Sequence, residues 1–202
     1  MPRAGLTPDL VVTHAGELAD RDGYDALTLA TLADRLGIKV PSLYKHVTSL
    51  ADLQRRLRLT GLRQLDEALR NAAVGRAGTD ALVATGHAYR RYAREHPGHY
   101  AAGLRAPQPA DHEEIAPVAA RLVELMLAVV RGYGQEGDDA VHAVRGVRAA
   151  LHGFVALEQA GGFGMPQDVD TSFEHLLATL DAGLRQHANL IPDTTPAGPD
   201  AL

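Results

Sequence analysis

The chain has 202 residues, enough for one large or two small domains around a sizeable core. It contains no cysteine, which excludes disulfide frameworks and thiolate metal sites, and its longest apolar stretch, Leu122–Val130, is interrupted by Glu124 and too short to span a membrane. A net charge of −5 argues against uniform attraction to nucleic acid, and the N-terminal residues lack the apolar core of a signal peptide, so a cytoplasmic protein is expected.

A first helix is expected over Pro8–Asp22, with Thr7 as N-cap and Pro8 at the first helical position. A loop follows, and Thr28 caps a second helix that gathers Leu29, Leu32, Ala33 and Leu36 on one face. Gly37 supplies the left-handed backbone with which a helix stops in a tight turn. A third helix begins near Pro41. It turns Leu43 and Val47 inward and Ser42, Tyr44, Lys45 and His46 outward or sideways. Two short helices about a glycine turn form a helix-turn-helix, whose second helix is suited to a DNA major groove. The charge distribution agrees: Lys39, Lys45, Arg55, Arg56 and Arg58 face only Asp52 between Lys39 and Arg58.

Ser49 or Thr48 caps a fourth helix that continues to about Ala73, where Val74–Gly78 breaks it. Thr79 starts another, ended near Glu95 by Pro97. A short helix around Gly98–Leu104 and a Pro-rich loop, Pro107–Pro109, come next. From Asp111 to about Gly132 the positions Ile115, Leu122, Leu125, Met126, Val129 and Val130 fall on one broad face. A glycine-rich turn leads to a helix over Asp138–Gln159, and Gly161–Gly164 leads to the last, from Val169 to about Ala188. The tail Ile191–Leu202 has no periodicity and is expected to be disordered. The chain is therefore expected to be all-α, with about nine helices, no strand and no internal repeat.

Several features stand at fixed spacing in the first quarter. They are the helix Val11–Asp22, the loop Gly23-Tyr24-Asp25-Ala26-Leu27-Thr28, the turn Ala33-x-x-Leu36-Gly37-Ile38, the run Ser42-Leu43-Tyr44-Lys45-His46 and the helix Ala51–Leu57. Through them, residues from about Leu10 to Leu57 resemble the DNA-binding domain of the TetR family of bacterial one-component regulators. Tyr92-Ala93-x-x-His96-Pro97, Leu151-His152-Gly153-Phe154-Val155 and Gly161-x-Phe163-Gly164 resemble a subgroup of that family named for a Trp-His-Gly triplet, although Leu151 stands where that subgroup has Trp.

The resemblance implies three segments. Residues 1–57 would form a three-helix helix-turn-helix DNA-binding domain, 58–190 a helical effector-binding and dimerisation domain, and 191–202 a tail. It implies a ligand-responsive regulator, most often a repressor. Such a protein binds a pseudo-palindromic double-stranded operator as a homodimer and is released by a small-molecule effector. Lys39, Val40, Pro41, Ser42 and Lys45 are placed to approach base edges. Tyr44 and His46 match family positions that bond phosphate, as do Thr28 and Ser49 at helix N-termini. Leu50 departs from the Lys of many relatives, and Ala30 and Val40 from positions that are often polar. Phosphate anchoring then falls to Lys45 and Arg55, or affinity is low. The implied effector pocket draws on Tyr89, Tyr92, Tyr100, Leu104, Met126, Val130, His152 and Phe163. The implied dimer surface is the last two long helices, with small residues at Ala143, Gly146, Ala150 and Gly153 and at Ala178, Ala182 and Gly183.

Other patterns carry less. Gly132-x-Gly134-x-x-Gly137 fits a dinucleotide fingerprint, but a helix-period run precedes it where the fingerprint needs a strand, so an inter-helix turn is expected. His96 and His99 are three apart, with His87 and His112 as further imidazoles. Pro97 breaks the helix between the first two, so they need not share a face, and no metal site is expected. The serines Ser42, Ser49 and Ser172 make no nucleophile elbow. Glu113-Glu114 and Asp138-Asp139 are adjacent carboxylates at helix starts rather than facing pairs. No catalytic residue and no cofactor are expected. The alternative is a small α-helical enzyme or ligand-binding protein that does not recognise DNA.

Overall fold

A computed structural model describes residues 6–105 and 113–190. Among them lie nine α-helices: α1 (Pro8–Asp22), α2 (Leu29–Leu36), α3 (Val40–Leu43), α4 (Leu50–Ala73), α5 (Gly78–Glu95), α6 (Pro97–Leu104), α7 (Ile115–Arg131), α8 (Gly137–Gln159) and α9 (Val169–Leu190). No strand occurs among the described residues, and a single 3-10 turn, Tyr24–Ala26, fills the expected loop after α1. The Pro107–Pro109 loop and the 191–202 tail lie outside the described residues.

The helix ends follow local chemistry. Thr7 Oγ1 accepts the Leu10 amide at 3.2 Å and starts α1. Thr28 and Thr31 cap each other: Thr28 Oγ1 accepts the Thr31 amide and Thr31 Oγ1 accepts the Thr28 amide, both at 3.0 Å. Gly37 adopts φ 65°, and the Ile38 amide reaches back to the Ala33 carbonyl at 3.0 Å, closing α2. Ser49, rather than Thr48, caps α4, accepting the Asp52 amide at 3.0 Å.

The third helix is shorter than its apolar spacing suggests. It is helical only over Val40–Leu43, and turns carry the chain through His46. The Leu43 carbonyl accepts both the His46 amide (2.8 Å) and the Val47 amide (3.0 Å), so the ladder tightens and ends there. Leu43 and Val47 are nonetheless both buried, as the spacing requires.

The described residues pack as two compact units, one within 6–74 and 84–125, the other within 75–83 and 126–190. In the first, Val11, Ala15, Leu18, Leu27, Leu32, Leu43, Val47, Leu53 and Leu57 form the core of α1–α4, and Ala102 of α6 joins it. A second cluster there holds Leu59 and Leu62 of α4 with Ile115 and Val118 of α7. In the second unit α8 packs on α9. The Phe154 ring lies 4.8 Å from that of Phe163 and 5.0 Å from that of Phe173. The segment Gly132–Gly137 is a turn between α7 and α8 with φ positive at Gly134 and Gly137, so the dinucleotide pattern has no strand before it.

Candidate nucleic-acid interface

The recognition segment is a thin surface layer on a buried support. Leu43 is 0% and Val47 1% exposed, and both belong to the core of the first unit. Around them Lys39, Pro41, Lys45 and Ser49 are exposed, Val40, Ser42 and His46 are half-buried, and Tyr44 is 55% exposed. Thr28, at the start of α2, is exposed as well. All nine expected DNA-facing residues thus reach the surface of one unit. Lys39 is the N-cap of α3, with no side-chain bond to the helix, and neither Lys39 nor Lys45 forms an ion pair among the described residues.

Arg55 differs from the expectation that it anchors phosphate. Its guanidinium is 3.0 Å from Asp52 Oδ1 and also bonded to Glu114 Oε2. Arg56 takes the same Asp52 oxygen at 3.0 Å. Burial raises the Asp52 pKa, but hydrogen bonds from Arg56, the Thr48 amide and Arg55 outweigh it and pull the carboxyl down to about 2. Of the five cations of 39–58, Lys39 and Lys45 are exposed, whereas Arg55, Arg56 and Arg58 are half-buried. The departures at Val40 and Leu50 also have a physical reason: both side chains pack against the core of the head. Ala30 is exposed on α2.

The expected effector residues divide between the two units. In the first, the Tyr89 and Tyr100 hydroxyls lie 2.7 Å apart with rings edge to face, and both side chains are buried. Tyr92 donates to the Gly61 carbonyl at 2.9 Å, and burial pushes its phenol pKa up. Leu104 is 40% exposed. In the second, Val130 is buried, while Met126, His152 and Phe163 are half-buried. Of the first four, Tyr92 lines a groove of about 270 Å³ in the first unit, walled also by Gln64, Glu67, Asn71, Arg91 and Glu95 of α4 and α5. Sequence reasoning missed these polar walls because charged residues at helical spacing resemble an ordinary solvated face.

His96 and His99 correct another expectation. Pro97 does end α5, but it also opens α6 at once, with His96 as its N-cap and His99 three residues on. They occupy the first turn of one helix, and their rings lie 5.7 Å apart. His112 lies outside the described residues.

Residues 82–180 match the family model described as a tetracyclin repressor-like C-terminal domain. A helix-turn-helix-type transcriptional regulator of Mycobacterium tuberculosis, Rv0681, is 38% identical over 185 residues, covering 91% of this chain and 84% of that protein. The chain belongs to the TetR family of transcriptional regulators. A second regulator of this type, YobS of Bacillus subtilis, is 33% identical over 183 residues, covering 91% of this chain and 95% of that protein. Among solved structures, a TetR variant from Acinetobacter baumannii AYE in complex with minocycline aligns with a TM-score of 0.68 at 23% identity, over 91% of this chain and 99% of that one. That last likeness is one of fold. In this TetR-family regulator the N-terminal helix-turn-helix is α2–α3, built on the buried Leu43–Val47 support.

Proposed function

We propose that this regulator binds a pseudo-palindromic operator as a cytoplasmic homodimer, with one α3 segment in each of two successive major grooves, and acts as a repressor released by a small molecule. The observation that carries the docking is the exposed set Lys39, Pro41, Tyr44 and Lys45, held in front of buried Leu43 and Val47. In this reading residues 1–57 are the DNA-binding domain and 58–190 the effector-binding and dimerisation domain. The Leu151-His152-Gly153 and Gly161-x-Phe163-Gly164 motifs support placing the second part in the Trp-His-Gly subgroup, with Leu151 buried at the Trp position.

The proposed dimer surface is formed by α8 and α9. Gly146, Gly153 and Gly183 would meet nothing within 4 Å if they carried a Cβ, and Ala178 and Ala182 are exposed. Leu157 is 51% and Val141 38% exposed on α8. Small and apolar residues left open on two neighbouring helices suit a two-fold four-helix bundle. The proposed effector contact in the first unit is the polar groove beside Tyr92. Tyr89, Tyr100 and Leu104, and Met126, Val130, His152 and Phe163 of the second unit, rest on the family resemblance. Release is a population shift: the effector binds the form that does not fit DNA better than the form that does.

Selection of the purified full chain against random-sequence DNA tests this reading. Recovery of a pseudo-palindrome with half-sites about one helical turn apart is expected. Tyr44→Ala should weaken binding to it, and an affinity left unchanged across salt concentrations would sink the docking.

A further inference from the structure

The α1–α6 contact gathers three ligand-type side chains. Asp20, near the end of α1, caps α6: its Oδ1 accepts the Gly98 amide at 2.8 Å and the His99 amide at 3.0 Å. Its Oδ2 faces two imidazoles and accepts from His99 Nδ1 at 2.9 Å and from His96 Nδ1 at 3.4 Å. The ligand atoms of the three residues all lie within 4.8 Å of one another. The carboxylate is thus oriented by two amides through one oxygen, while the other confronts two ring nitrogens.

We propose that Asp20, His96 and His99 form a binding site for one divalent transition-metal ion of the zinc, cobalt and nickel class. A metal with bonds of about 2.0–2.1 Å separates neighbouring ligands by roughly 2.9 Å at right angles and roughly 3.3 Å in a tetrahedron. The two Asp20–imidazole separations, 2.9 and 3.4 Å, match those edges. Two imidazoles and one carboxylate select a transition metal over calcium or magnesium, which prefer all-oxygen shells. The amide bonds to Asp20 Oδ1 are the outer support that ligating carboxylates usually have.

The ligands are held in place. A Cβ on Gly16 would lie 2.3 Å from His99 Cε1, so the glycine in α1 makes room for that ring. The side chain of His99 is 9% exposed and that of Asp20 18%, but that of His96 is 41% exposed. His96 also lines the groove of about 270 Å³, which gives an ion a path from solvent and room for a water ligand. To take the ion at Nδ1 each neutral imidazole carries its single proton on Nε2, so the proton now shared between Nδ1 and Asp20 Oδ2 passes by exchange with solvent to the other ring nitrogen, with no net loss.

The test uses the full chain, stripped with a chelator and titrated with Zn²⁺ and, for its visible d–d absorption, Co²⁺. One ion per chain is expected. His96→Gln, at the most exposed ligand, and Asp20→Asn should each weaken binding at least tenfold, with the helical circular dichroism of His96→Gln unchanged. His175→Gln, at an exposed position on α9, should bind as the parent does. Absence of stoichiometric binding, parental affinity in His96→Gln, or an equal loss in His175→Gln would each overturn the site.

Discussion

The backbone of Gly98 meets that of Ala19 so closely that a Cβ on Gly98 would lie 2.2 Å from the Ala19 carbonyl carbon. Neither neighbour is a flexible side chain, so α6 and α1 would have to separate to admit a methyl group. Gly98→Ala should therefore destabilise the chain by about 1–3 kcal/mol, the usual cost of overpacking. Urea denaturation measures it, and a midpoint equal to the parent's would show that the two helices are not in backbone contact.

Asp52 ties the start of α4 to its second turn. It accepts the Thr48 amide at 3.0 Å and pairs with Arg55 and Arg56. Its folded pKa, about 2, lies below the ordinary value of 3.8. Between these values the unfolded chain holds more protons than the folded one. The stabilisation is therefore complete above about pH 5 and is lost as pH falls through the folded pKa. Asp52→Asn should cost about 1–2 kcal/mol at pH 7 and little near pH 2. Denaturation at both pH values checks the sign, and an equal cost at both would contradict it.

What could be read from the residues was mostly local. Thr7, Thr28 and Ser49 announce helix starts because each hydroxyl satisfies an amide three residues on, and Gly37 announces an end because it adopts positive φ. The end of α3 was not legible, because Val47 keeps the apolar period after the backbone has left the helix. Arg55 read as a phosphate anchor because one of its two partners, Glu114, is remote in the chain. The Asp20–His96–His99 cluster was hidden for the same reason, Asp20 being remote in the chain from both imidazoles. The spacing of an N-cap and its third helical residue around Pro97 was the one local signal that pointed to it.

Ala178 is exposed on α9 and lies on the proposed dimer surface. Ala178→Arg should leave the protomer folded, since the side chain has open space, while placing two like charges near the two-fold axis. Analytical ultracentrifugation should show the parent as a dimer and the variant as a monomer with the same helical content. A variant that sediments with the parent would move the interface elsewhere.

Lys45 and Arg55 give opposite expectations at the DNA. Lys45 is exposed and free of ion pairs among the described residues, whereas Arg55 is bonded to Asp52 and Glu114. Each phosphate contact releases counterions and contributes about 0.9 to the slope of log affinity against log salt. Lys45→Ala should reduce that slope by about 1.8 for a dimer with one contact per protomer, and weaken binding at low salt. Arg55→Ala should leave the slope unchanged, because no phosphate contact is lost. Its cost should fall on stability, through the loss of partners for Asp52 and Glu114. Affinity for the selected operator, measured at several salt concentrations, separates the two. A slope that falls with Arg55→Ala and not with Lys45→Ala would mean that the Arg55 ion pairs open on DNA and that α4, not the α3 turn, carries the phosphate contact.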